Sequence, residues 1–167
     1  MPFGKAFVYQ APKRKKSEVF WSGLTGVVLA ADTDYNLVTL LKGLPAPAFG
    51  TLAPFFNTVS DKVNAYNDNT SLMFKLNLAG TWSAGTSNRS MQLDFVGTNG
   101  NRLVASRDAA VTTDVITMAT FFSIDRDGGI VTNGAAPFIR SNGGSYTLSA
   151  VLLIAEQATR QTLISAV

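Results

Sequence analysis

The run Leu72-Met73-Phe74-Lys75-Leu76-Asn77-Leu78 sets Leu72, Phe74, Leu76 and Leu78 on one side of an extended chain and Lys75 and Asn77 on the other. A period of two marks a half-buried strand. Gly80-Thr81-Trp82-Ser83 and Gly85 end it. Met91, Leu93 and Phe95 then alternate with Gln92 and Asp94, and the chain reverses at residues 97–101 into Leu103-Val104-Ala105. A third strand, Val115 to Ile124, is predicted to point Ile116, Met118, Phe122 and Ile124 inward. The last, Tyr146 to Ala155, sets Tyr146, Leu148, Leu152 and Ile154 on one face and Val151 and Leu153 on the other. Apolar on both sides, it belongs at a sheet centre or against a second subunit.

The first third of the chain is less regular. From Glu18 to Leu44 two or three short strands are expected, with Tyr35, Leu37, Thr39 and Leu41 on one face and Val38 and Leu40 on the other. Pro45, Pro47, Gly50 and Pro54 make residues 44–56 a long loop, anchored by Phe49, Phe55 and Phe56. Asn57 to Tyr66 reads as a turn and strand, with a short helix as the other possibility. The pairs Asn99-Gly100, Asp127-Gly128, Asn133-Gly134 and Asn142-Gly143 supply the positive-φ residues of tight hairpins and read as strand reversals. Short strands joined by turn signals, with no long helical pattern between them, predict an all-β, antiparallel jelly-roll-type β-sandwich. The cysteine pair of an immunoglobulin domain is absent.

Composition narrows the kind of work. Charged residues are only 15% of the 167, against about a quarter in ordinary soluble domains. Polarity comes instead from 17 Thr, 13 Ser and 11 Asn. Neutral polar groups desolvate at less cost than charges, so such a surface is suited to burial between subunits. A homo-oligomer is therefore expected. Net charge is +3, divided into +5 over residues 1–16 and −2 over the remainder, which has nine basic and eleven acidic side chains. Basic character thus belongs to an extended N-terminal arm, drawn over residues 1–21, ahead of a sandwich over 22–157 and a tail over 158–167. Lys13, Arg14, Lys15 and Lys16, with Phe20 and Trp21, are the candidate partner-binding residues of that arm. The basic run reads as a solvated linker or as an attachment to an acidic protein surface. Without interleaved stacking aromatics it makes a thin nucleic-acid footprint.

Chemistry is scarce. No histidine and no cysteine occur, which removes Ser-His and Cys-His nucleophiles, thiolate metal sites and disulfides. Asp32-Thr33-Asp34, Asp125 with Asp127, and Asp108 with Asp114 read as turns and connections rather than as a calcium site or a glycosidase pair. No Gly-rich phosphate loop is present. No catalytic residue, metal or cofactor is expected. No apolar run reaches the roughly 18 residues of a membrane span, and Glu18 interrupts any signal-peptide pattern. Trp82 and Tyr146 are candidates for stacking on sugar rings, with core packing as their ordinary role.

The segments Ser123-Ile124-Asp125-Arg126-Asp127-Gly128-Gly129, Thr132-Asn133-Gly134 and Ser145 to Leu153 resemble tailed-phage virion proteins with a trimeric jelly roll. These include head decoration (cement) proteins and fibre tips, some similar to the C1q and tumour necrosis factor fold. The resemblance spans roughly residues 57 to 157 and implies no catalytic residues. It implies a homotrimeric bacteriophage structural protein of the virion. The expectation drawn is a capsid decoration protein on the capsid exterior, its arm gripping the major capsid protein shell. The alternative is a receptor- or glycan-binding domain of a phage fibre or spike.

Overall fold

The computed structural model describes residues 14–66, 70–85, 87–96 and 101–158. Its first element, β1 (Arg14–Leu29), is one 16-residue strand. Ser17, Val19 and Trp21 alternate inward, which is why the segment joins the sheet despite its basic start. Residues 14–21, assigned from the sequence to an arm, are therefore the first half of a sandwich strand. Lys13 and the rest of the expected arm lie outside the described residues, as do residues 159–167 of the expected tail.

After β1 come β2 (Asp34–Asn36) and a short helix, α1 (Leu37–Lys42), where strand was expected. Leu37, Val38 and Leu41 are the buried positions, a spacing that suits one helix face. The Asn36 side chain caps it, accepting from the amides of Val38 and Thr39. An edge strand, β3 (Phe49–Thr51), forms inside the proline-rich loop, and β4 (Phe56–Asn57) and β5 (Lys62–Val63) make a small hairpin.

The long strands follow: β6 (Thr70–Trp82), β7 (Arg89–Val96), β8 (Arg102–Arg107) and β9 (Thr113–Ile124). A five-residue helix, α2 (Gly129–Asn133), then leads to β10 (Ala136–Asn142) and β11 (Tyr146–Ala158). Two antiparallel sheets face each other, one in the order β3-β1-β11-β6-β9 and the other in the order β2-β10-β7-β8. This is an all-β jelly-roll-type sandwich.

The turn signals mark bends more often than hairpins. Residues 97–100 lie between the paired strands β7 and β8, but outside the described residues. Asn142-Gly143 instead carries the chain from β10 in one sheet to β11 in the other. Asp127-Gly128 and Asn133-Gly134 bracket α2, where Asp127 and Gly134 have positive φ. An Asn-Gly pair dictates a sharp bend, and the sheet that receives the next strand is decided by its packing.

The core lies between the sheets. Leu72, Phe74, Leu76 and Leu78 of β6, Met91, Leu93 and Phe95 of β7, and Ile116, Met118, Phe122 and Ile124 of β9 are all buried, as the alternation requires. Phe56, Phe74, Phe95 and Phe122 form a chain of edge-on rings with centroids 6.2, 5.0 and 4.6 Å apart. In β11 the expected phase fails halfway. The register slips between Leu148 and Ala150, so Val151, Leu153 and Ala155 face the core and Leu152 and Ile154 face outward. Gly80 sits opposite Leu148, where a Cβ would come within 2.2 Å of the Thr147 carbonyl. Only glycine allows that approach.

Candidate functional site

The two outward sheet faces differ in chemistry, and each strand's alternation dictates what it shows. On the five-stranded sheet, register aligns Phe49, Phe20, Leu152, Asn77 and Thr117 in one row. A second row holds Glu18, Ile154, Lys75 and Ala119, and a third Lys16, Glu156, Met73 and Phe121. A fourth holds Ser22, Ala150, Ala79 and Val115. Met73 is 62% exposed and Phe121 70%, side by side as cross-strand partners. Phe49 is half exposed and its ring lies 5.6 Å from that of Phe20. Exposed apolar side chains thus recur across this face, interleaved with Lys16, Glu18, Lys75, Asn77 and Glu156, as on an interaction surface. Within this face the Asn77 Oδ1 is buried by its own chain without a hydrogen-bond partner among the described residues.

The predicted partner-binding residues separate between the faces of β1. Trp21 points inward, is buried, and donates its indole N–H to the Pro45 carbonyl at 3.0 Å. Phe20 points outward and belongs to the apolar face. Arg14 is paired with Glu156, and Lys16 with Glu18, two positions along the same strand. Lys15 Nζ sits 4.7 Å above the Tyr66 ring. The four-residue basic run is therefore not presented as one patch: three of its members are engaged within the chain, and Lys13 is outside the described residues.

The four-stranded sheet shows mainly polar and charged side chains outward, with Val104 exposed beside Gln92. Arg140 of β10 lies in register between Asp34 of β2 and Gln92 of β7. One position along, Phe138 neighbours Asp94, which pairs with Arg102 of β8. Arg102 donates to Asp94 Oδ2 from Nε at 2.9 Å and Nη2 at 2.6 Å. Arg140 donates from Nε to Asn142 Oδ1 at 2.7 Å, while its terminal nitrogens stand 3.7 Å from Asp32 and 3.6 Å from Asp34. These groups, Asp32 apart, line an open depression of about 570 Å³.

Trp82 and Tyr146 do not form a sugar platform. Both are buried, with ring centroids 4.8 Å apart. The Tyr146 hydroxyl donates toward the Asp114 carbonyl at 2.9 Å and the Leu78 carbonyl at 3.2 Å. Burial pushes its pKa well above the ordinary value, helped by the Asp114 charge. Beside this pair Arg89, itself buried, donates to the carbonyls of Gly85, Ala109 and Val111 at 3.1 to 3.2 Å. It thereby ties together two loops at one end of the sandwich.

The carboxylates singled out in the sequence serve turns and ion pairs. Asp108 Oδ1 accepts from the Ala110 amide, Asp114 pairs with Arg107, and Asp125 accepts from the Ser123 hydroxyl. Among the described residues, no group of three His, Cys, Asp or Glu side chains could hold a metal ion, and no helix is long and apolar enough to cross a membrane.

The profile of the family described as the Sf6-type phage tail needle knob, or tip of some Caudovirales, matches residues 13–157. The chain is 53% identical over 147 residues to the tail needle protein of Shigella phage Sf6, covering 88% of this chain and 51% of that protein. It thus spans about half the length of this curated relative. Among solved structures, PRD1 vertex protein P5 superposes with a TM-score of 0.53 at 13% identity, over 87% of this chain and 73% of that one. That likeness concerns the fold alone. The matches fall on tail needle proteins, so the expected head decoration protein is not supported.

Proposed function

The chain belongs to the Sf6-type phage tail needle knob family, virion proteins of tailed phages, and from that premise we propose that it forms the tip of a tail needle as a closed homotrimer without enzymatic activity. The observation that carries the reading is the set of exposed apolar side chains, Met73 and Phe121 above all, on the outward face of the five-stranded sheet. A cyclic assembly lets each copy bury such a face against its neighbours and leaves no open end on which further copies add. Phe20, Phe49, Met73, Phe121, Leu152 and Ile154 supply the buried area. The work is mechanical: three sandwiches wedged together make a blunt, rigid end on a thin shaft.

Mass measurement by light scattering on a sizing column tests this. Three times the 17.8 kDa chain mass is expected. A single-chain mass at about 10 μM, where an interface of this kind is saturated, overturns the trimer.

A further inference from the structure

If the five-stranded sheet is turned inward in the assembly, the four-stranded sheet is turned outward, and its depression is open to solvent. We infer that this depression binds a pyranose ring of an uncharged saccharide, an inference resting on the proposed arrangement only for its accessibility. The depression is the size of a sugar unit or two, at about 570 Å³. Its floor is strand backbone, so its side chains are held in fixed register.

Each sugar hydroxyl both donates and accepts, and the rows offer both kinds of group within one side-chain spacing. Both terminal nitrogens of Arg140 stand at ion-pair range of the aspartates beside them but beyond hydrogen-bond distance, and their N–H groups make no hydrogen bond among the described residues. Asp94 gives only Oδ2 to Arg102, and its Oδ1 is not engaged among the described residues. The Gln92 amide is likewise not engaged there. Phe138, half-buried between these groups, offers an apolar ring for the C–H face of a pyranose.

Charge selects the ligand class. Asp32, Asp34 and Asp94 stand against Arg102 and Arg140, and every cation has a carboxylate neighbour. A phosphate or nucleic-acid backbone would meet carboxylates at each step. A neutral polyol meets none of that repulsion.

Saturation-transfer NMR on the full chain tests the assignment. The probes are methyl glycosides of glucose, galactose, mannose, rhamnose and N-acetylglucosamine, with glycerol as the acyclic control. At least one glycoside is expected to receive saturation on one ring face, with a dissociation constant of about 1–10 mM, as befits a ligand held by few contacts. Arg140→Met and Phe138→Ser should each weaken binding by about tenfold or more, with the circular dichroism spectrum and assembled mass unchanged. No saturation of any glycoside at about 20 mM overturns the inference, as does transfer that survives both substitutions or appears equally with glycerol. The mass of the same samples separates the two readings: a monomer that binds sugar overturns only the trimer, and a trimer that binds none overturns only this site.

Discussion

Replacing Met73 and Phe121 together by threonine should take the assembly apart and leave the sandwich standing. The pair lies side by side on the outward face, 62% and 70% exposed, and neither residue enters the core. Fully burying a Met or Phe side chain is worth about 1.5–3 kcal/mol. With roughly two-thirds of each still open to solvent, assembly gains about 1–2 kcal/mol from each, or about 2–4 kcal/mol per chain. Over three chains that is about 6–12 kcal/mol, and at 1.4 kcal/mol per decade the trimer dissociation constant rises by about four to nine decades. Threonine is β-branched and keeps the strand preference. Sedimentation velocity over a dilution series reads the assembly, and far-ultraviolet circular dichroism reads the fold. The double variant should run as a folded monomer at concentrations where the parent stays assembled. An unchanged mass over the whole series would refute the assignment of this face.

Three further outcomes follow from single residues. Arg89→Met removes three charge-assisted hydrogen bonds to loop carbonyls, partly offset by releasing a buried cation whose Nε lacks a partner among the described residues. A net loss of about 2–4 kcal/mol is expected, a melting point about 5–12 °C lower by calorimetry at matched concentration; an equal or higher melting point would show that the clamp costs as much as it gives. Gly50→Ala should displace β3 from β1, because Gly50 has φ of +87° and an added Cβ would lie 1.8 Å from the Glu18 carbonyl oxygen. Hydrogen exchange should then quicken at β3, and unchanged protection there would contradict the geometry. Asp61 has its pKa held below the ordinary 3.8, first by the hydrogen bond from Lys42 and then by that from Thr39. A lowered folded pKa gives stability that is present above the unfolded value and lost as pH falls through the folded one. Asp61→Asn, which still tolerates the positive φ at that position, should therefore be less stable than the parent at pH 7, with the gap closing below about pH 4; a gap that persists in acid would contradict this.

Strands β6 and β9 were legible because their alternation is uninterrupted, so their core residues could be read directly. In β11 the alternation holds on both sides of Ser149, but the bulge there reverses its phase, and a run apolar at nearly every position conceals the reversal. The first half of β1 was obscured by its charge: Lys15 and Lys16 outweigh the quieter alternation of Ser17, Val19 and Trp21. Residues 37–42 satisfy a strand and a helix equally by hydrophobicity. The Asn36 cap and the nearby β4–β5 turn, where the Asp61 carbonyl accepts from the Asn36 amide at 2.9 Å, favour the helix. The outward face left a fainter mark: Met73 occupies a polar-phase position of an otherwise strict strand, and Phe121 doubles the inward Phe122. An apolar residue out of phase is the local sign of a face that will be covered by something else. The Arg140 depression could not be read, since its residues come from four strands scattered between Asp34 and Arg140 and converge only through sheet order.

Electron cryomicroscopy of the virion that carries this chain tests the central claim most directly. The account predicts a three-fold density at the free end of the tail needle into which three copies of the sandwich fit, five-stranded sheets turned inward. Density for the chain over the head shell, or single copies with that apolar sheet facing solvent, would contradict it.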